Sequence, residues 1–245
     1  MNDKRILITG DIHADWPSLN GLINKKRPDI VLCCGDFGYW PELITYRDWG
    51  YNQKQIEYGS TFRDEKKIKV GDTNAKIYWA PGNHEHWWIL EKELGRHGKA
   101  PIEMNPNLYY CPIGSIININ GSNILFIGGA DSIDKNARTI GLDWFPEEVL
   151  NHADFEFILK SIGDKKIDIV ISHTCPNAFP MSDLTGRYDK KDDPTRGILN
   201  EVLRIYRPKK WRFGHWHDHK RGNDYGCDWM SLDYPKHGGI WWTWL

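Results

Sequence analysis

Eight residues able to hold a cation or move a proton stand at five points where an apolar run stops. Asp11 and His13 follow the run 4–9 and Gly10. Asp36 follows Gly35, and Asn83 and His84 follow Gly82. His173 closes the run 167–172, and His215 and His217 follow Gly214. Taken singly, these blocks say little: a D-x-H pair is often a turn aspartate beside an incidental histidine, and Gly-Asp is a common turn. Repeated at five strand ends, they gather carboxylate and amide oxygens with several imidazoles. Such a donor set is hard to borderline and suits Mn, Fe, Zn or Ni rather than a thiolate-loving metal.

Bringing these groups together requires strands that end side by side, and in α/β sheets ligand sites collect at the carboxyl ends of strands. The hydrophobic pattern predicts strands over 4–9, 30–34, 76–80 and 167–172 and helices over 17–24, 146–161 and 195–207. Asn120-Gly121 between 115–120 and 123–127 predicts a hairpin, because Asn-Gly suits left-handed turn angles. From 211 to 245, short aromatic runs alternate with Gly and Asp, as short strands joined by turns would. An extended stretch after the first strand would point Asp11 and His13 to one side.

The chain of 245 residues is 40% hydrophobic and 27% charged, with no internal repeat or Pro/Gly/Ser linker, so one mixed α/β domain over 1–245 is the simplest reading. No apolar run nears the ~20 residues of a membrane helix, and Ile6-Leu7-Ile8 is too short for a signal-peptide core. Five cysteines (Cys33, Cys34, Cys111, Cys175, Cys227) form no CxxC pair, and their odd number argues against a complete disulfide framework. These features predict a cytoplasmic protein with reduced thiols and no membrane partner. The formal net charge is −1. Basic pairs such as Lys25-Lys26, Lys66-Lys67, Lys165-Lys166 and Lys209-Lys210 are scattered, which does not favour nucleic acid as a partner. Nothing in the pattern predicts an oligomeric state.

In order, Asp11-Ile12-His13, Gly35-Asp36, Gly82-Asn83-His84-Glu85, His173 and Gly214-His215-Trp216-His217 resemble the D-x-H, GD, GNH(E/D), H and GHxH blocks of the calcineurin-like metallophosphoesterases. The resemblance spans most of the chain. It implies a four-layer α/β/β/α sandwich with two mixed β-sheets. It also implies two divalent ions, one held by Asp11, His13, Asp36 and His217, the other by Asp36, Asn83, His173 and His215, with Asp36 bridging. Manganese is the expected metal, with Fe, Zn or Ni as alternatives. The segment Gly128-Gly129-Ala130-Asp131-Ser132-Ile133-Asp134-Lys135, with Arg138 and Trp144-Phe145-Pro146-Glu147-Glu148, further resembles a bacterial and phage branch of the family.

Two such ions, about 3.5–4 Å apart, lower the pKa of a bridging water and clamp phosphoryl oxygens through an in-line displacement. The expected reaction is hydrolysis of a phosphomonoester or phosphodiester by a metal-bridging hydroxide, on a small-molecule or nucleotide substrate. His84, outside the implied ligand set and beside Asn83, is the expected catalytic residue, protonating the leaving oxygen or stabilising its charge. Arg138 is the candidate phosphate clamp, because a guanidinium matches two phosphoryl oxygens. Asn83 is a second candidate substrate contact. After Asp36 the chain reads Phe37-Gly38-Tyr39-Trp40, without the further Asp and Arg-Gly of the protein-phosphatase branch. A Ser/Thr protein phosphatase is therefore disfavoured, and the orienting partner of His84 is open.

Trp40, Trp87, Trp88, Trp144 and Trp216 flank the motif loops, where they either pack or stack on a nucleobase or apolar alcohol. Cys175 reads as structural, and His86, His97, His152, His219 and His237 match no block. Asp218 and His219 are candidates to orient a ligand imidazole. Two other functions compete: a metal-dependent nuclease, which needs a basic groove, and a non-catalytic metal-binding scaffold, which the intact ligand positions disfavour.

Overall fold

Short β-branched runs that alternate between two apolar environments build the frame of this protein. The computed structural model describes residues 3–39, 75–182 and 193–245. Among them, β1 (Ile6–Thr9), β2 (Ile30–Cys33), β3 (Lys76–Trp79), β4 (Ile102–Asn105), β5 (Leu108–Tyr110) and β12 (Trp242–Trp244) form one sheet, in the order β12-β1-β2-β3-β5-β4. The second sheet holds β6 (Ile116–Ile119), β7 (Ser122–Ile127), β8 (Ile169–Ser172), β9 (Lys210–Phe213), β10 (Arg221–Asp224) and β11 (Cys227–Ser231), in the order β10-β11-β9-β8-β7-β6. In both, four parallel strands are flanked by an antiparallel strand at each edge.

The two-residue period of a strand separates the layers. Ile6 and Ile8 of β1 and Ile30 and Leu32 of β2 join Ile124, Phe126, Ile169 and Ile171 of the other sheet in one core. Leu7 and Val31 belong instead to a core with Leu19, Leu22 and Ile23 of α1 (Trp16–Lys26). On the far side, Leu125, Ile127 and Val170 share a core with Ile158 and Ile162 of α3 (His152–Ile162) and Leu199, Val202 and Leu203 of α4 (Pro194–Tyr206). The result is the α/β/β/α sandwich with two mixed sheets. A short helix, α2 (Trp87–Ile89), widens into a π-helical turn over Leu90–Leu94. No helix among the described residues is long and apolar enough to cross a membrane, and the five cysteines are buried and unpaired.

The Asn120-Gly121 hairpin forms as expected, with φ of 50° and 78° at the two turn residues. The helix expected over 146–161 is divided. Pro146–Glu148 is a 3-10 turn, and α3 starts only after Asn151, whose side chain accepts from the N–H groups of Ala153 and Asp154 while Asp154 reaches back to the Asn151 N–H. This capping box is a stronger start signal than the preceding proline. The β4–β5 hairpin was not legible, because Pro106 interrupts its apolar pattern. Trp40 and the Lys66-Lys67 pair lie outside the described residues.

Candidate metal centre

The loops after β1, β2, β3, β8 and β9 converge at one end of the two sheets. Asp11 and Asp36 are wholly buried, Asn83 and His173 nearly or wholly so, and His13, His215 and His217 are part-exposed. The chain does not run extended through the D-x-H block as expected: His13 has φ of 46° and Ala14 55°. The N–H groups of both Ile12 and His13 donate to the Asp36 carbonyl, and this ties the first loop to the second. Asp36, His215 and His217 also have positive φ, a conformation that costs a non-glycine residue of order 1 kcal/mol or more and tends to gather at functional sites.

Two glycines make room for the carboxylates. A Cβ on Gly82 would collide with Asp36 Oδ1, and one on Gly214 with Asp11 Oδ1. The small residue before each block therefore admits a carboxylate arriving from another strand.

One group of donors consists of Asp11, His13, Asp36 and His217, with one donor atom from each lying within 4.8 Å of all the others. His13 Nε2 and His217 Nε2 are 3.2 Å apart, close to the separation of two imidazole nitrogens that share a cation at about 2.0–2.1 Å each. His217 Nε2 lies 3.2 Å from Asp11 Oδ2, and His13 Nε2 lies 3.7 Å from Asp36 Oδ2. A second group surrounds Asn83: its Oδ1 is 2.8 Å from His173 Nε2 and 3.0 Å from His215 Nδ1. Asp36 Oδ1 reaches the same group, 3.3 Å from His173 Nε2.

The chemistry of these contacts fits cations. His173 Nδ1 lies 3.3 Å from the Cys34 carbonyl and donates to it, so that Nε2 is the ring nitrogen that could offer a lone pair to an ion. Asn83 Nδ2 donates to Ser132 Oγ at 2.9 Å, so its Oδ1 is also an acceptor. A shared cation would satisfy Asn83 Oδ1 and His173 Nε2, 2.8 Å apart, as two lone-pair donors. The carboxylates are likewise without Lys or Arg partners among the described residues; Asp11 accepts from the His215 N–H and Asp36 from the His84 N–H.

Electrostatics agrees. Burial opposes ionisation of Asp36, but His173, His84 and His13 around it hold its carboxyl well below the usual carboxylate range. Burial keeps His13 and, with His173, His215 neutral and able to donate a lone pair. Burial opposes protonation of His217, but its hydrogen bond to Asp11 together with the charges of Asp11, Asp36 and Asp233 shifts it upward.

His84 and Arg138 meet beside this cluster: Arg138 Nη2 is 3.2 Å from His84 Nε2. Arg138 is held by Asp134 at 2.8 Å and by the Asp143 carbonyl at 3.2 Å. Burial is the main cause that pushes His84 down to about 4, with His13 and Arg138 adding to it against Asp36. Lys135 is paired with Asp131 at 2.7 Å.

Several contributors had no role assigned from sequence. Glu85, inside its own motif, accepts from the N–H groups of Phe37, Gly38 and Gly82, and so couples the second loop to the third. Ser132 fixes the Asn83 amide and is itself held by Glu148 through its N–H. Arg196, buried in α4, donates to the carbonyls of Cys175, Pro176 and Phe179 and lies over the Trp216 ring, bracing the loops after β8 and β9. Cys175 is a buried thiol with its pKa pushed up to about 12 by burial, consistent with a structural role. Asp218 and His219 do not orient a ligand imidazole: Asp218 pairs with Lys220, and His219 Nδ1 donates to the Ser231 carbonyl. Of the tryptophans, Trp87 is fully buried, Trp144 donates to Glu148, and Trp88 is 46% exposed.

The family model of calcineurin-like phosphoesterase matches residues 4–219. The lariat debranching enzyme of Schizosaccharomyces pombe is 26% identical over 231 residues, covering 87% of this chain and 48% of the relative. That of Drosophila melanogaster is 26% identical over 230 residues, covering 85% and 41%. The chain thus spans less than half the length of these two relatives. A dimetal phosphatase from Danio rerio shares the fold, with a TM-score of 0.52 at 13% identity over 95% of this chain and 88% of that one.

Proposed function

Because this chain belongs to the calcineurin-like phosphoesterase family, we propose that it is a dinuclear-metal phosphoesterase, acting by preference on a phosphodiester that contains a nucleotide. The observation that carries the reading is Asp36, whose Oδ2 faces His13 and whose Oδ1 faces His173. One carboxylate thereby joins two donor groups. Asp11, His13, Asp36 and His217 would hold one ion, and Asp36, Asn83, His173 and His215 the other. Manganese suits this mixture of carboxylate, amide and imidazole, with Fe, Zn or Ni as alternatives.

When bound, two divalent ions supply the acidity that turns water into a nucleophile at neutral pH and the charge that draws in phosphoryl oxygens. The protein's own groups do the rest. Arg138 presents its guanidinium to the phosphoryl group, and Asn83 adds a polar contact. His84, neutral near pH 7, turns its remaining ring N–H to the leaving oxygen and stabilises the charge that develops there. The relatives' names favour a diester, since debranching a lariat breaks a phosphodiester. That supports a nuclease as the second reading. The unpaired thiols support a cytoplasmic location.

Purified protein supplied with Mn²⁺ is expected to release p-nitrophenol from a generic mono- or diester, and Asp36→Asn is expected to abolish the release. The panel extends to cyclic nucleotides and single-stranded DNA, with metal content measured in each sample. Two bound metals without turnover on any ester would leave a metal-binding scaffold in place of an enzyme.

A further inference from the structure

The connection between β11 and β12 places an aromatic ledge against the first donor group. The Tyr234 ring lies 4.5 Å from that of His217 and 5.7 Å from that of His13. His237 stacks on Tyr234 at 4.8 Å with only 14° between the planes, and its ring is 6.3 Å from that of His217. The rings thus run outward from two candidate metal ligands to a side chain that is 37% exposed.

This exposed ring is held more firmly than a surface histidine needs to be. Asp233, only 2% exposed, places both carboxylate oxygens 2.9 Å from His237 Nδ1 and also accepts from the N–H groups of Tyr234 and Gly239. Lys236 adopts φ of 71° and pairs with Asp15, the N-cap of α1, at 2.8 Å. Burying a carboxylate and holding a lysine in the left-handed region both cost free energy. What they secure is the orientation of His237: Nδ1 is committed to Asp233, and Nε2 has no hydrogen-bond partner among the described residues.

From this arrangement we infer that Tyr234 and His237 form a specificity-determining platform on which a nucleobase of the substrate stacks while its phosphate is held at the metal centre; the inference rests on the phosphoesterase reading above. A flat ring with a partly open face and an outward nitrogen matches a nucleobase, which has a π face to stack and edge groups to hydrogen-bond. Aliphatic alcohols and bare sugar phosphates offer no such face. Base–aromatic stacking commonly contributes enough to alter affinity roughly 5- to 150-fold.

The test compares a dinucleoside phosphate with its abasic counterpart on the metal-loaded protein. Wild type is expected to prefer the base-bearing ester by at least about tenfold in kcat/KM, mainly through KM. In His237→Ala the preference should fall toward one, and in His237→Phe, which keeps a stacking ring, it should recover. No preference in wild type, or an undiminished one in His237→Ala, overturns the platform. If wild type cleaves neither ester, the preference for a diester fails, and the platform is then judged by binding alone. AMP, but not ribose 5-phosphate, must shift the His237 ring resonances in NMR spectra, and the absence of that shift overturns it.

Discussion

Arg138 donates through Nη2 to Nε2 of His84 across 3.2 Å. A guanidinium has no acceptor, so Nε2 of His84 is the acceptor and the proton of the neutral imidazole sits on Nδ1. One partner of His84, whose surroundings are open from sequence, is therefore a cation, and the Asp36 charge also acts on it. One arginine fixes the tautomer of the proposed catalytic histidine and, in the reading proposed above, also supplies positive charge to the phosphoryl group.

Replacing Arg138 by Ala should lower kcat/KM on a cleaved ester by roughly 10²- to 10³-fold, the usual effect of removing one transition-state donor. Arg138→Lys should recover only part, because an ammonium restores charge without the fork. Steady-state kinetics of the two variants measures this; a lysine variant as active as wild type would show that charge alone is required.

Gly82→Ala and Gly214→Ala should each displace a carboxylate, that of Asp36 and that of Asp11 respectively. Overpacking of this kind costs about 1–3 kcal/mol of stability. Metal content per chain, measured by elemental analysis beside thermal unfolding, should fall further than the stability loss accounts for. An alanine variant that binds two metals normally would contradict the steric argument.

Ser132→Ala removes the acceptor of Asn83 Nδ2 and leaves the amide free to turn its nitrogen toward His173. Loss of such an outer partner typically weakens metal affinity by about 10- to 100-fold. Competition with a chelator of known affinity reads the change, and it should affect one ion of the two. Equal weakening of both, or of neither, argues against this role.

Glu148 should make stability depend on pH. Burial pushes its carboxyl up from the ordinary 4.5 to about 8, against the hydrogen bonds from Ser132 and Trp144. Between these values the folded chain retains a proton that the unfolded chain has lost. Stability therefore falls as pH rises from about 4.5 to about 8, by at most about 1.4 kcal/mol per pH unit, and this contribution levels off above 8. In Glu148→Gln the slope seen in denaturant titrations over that range should shrink by this contribution, while that of Glu85, also raised by burial, persists; a slope identical to wild type would exclude Glu148 as a source.

Much of the fold was legible because its signals are local. Strands β1, β2, β3 and β8 read as short apolar runs closed by a small residue, and Asn120-Gly121 announced its hairpin. The start of α3 was misplaced because the pattern from Val149 onward resembles a helix, while the backbone there is extended until Asn151 caps it. Strands β4 and β5 escaped notice because pairing with each other and with β3 outweighs a weak propensity interrupted by Pro106.

The kinds of donor and the strand ends that carry them follow from local order, since D-x-H, GNHE and GHxH are each continuous in the chain and each needs only its own turn. Which donors face one another was decided by tertiary structure alone. His13 meets His217 from 204 residues away, Arg138 reaches His84 across 54 residues, and Tyr234 comes to rest on both His13 and His217. Those contacts exist because two sheets pack face to face through Ile6, Ile8, Ile124 and Ile171, and that packing brings loops distant in sequence to one end of the sandwich.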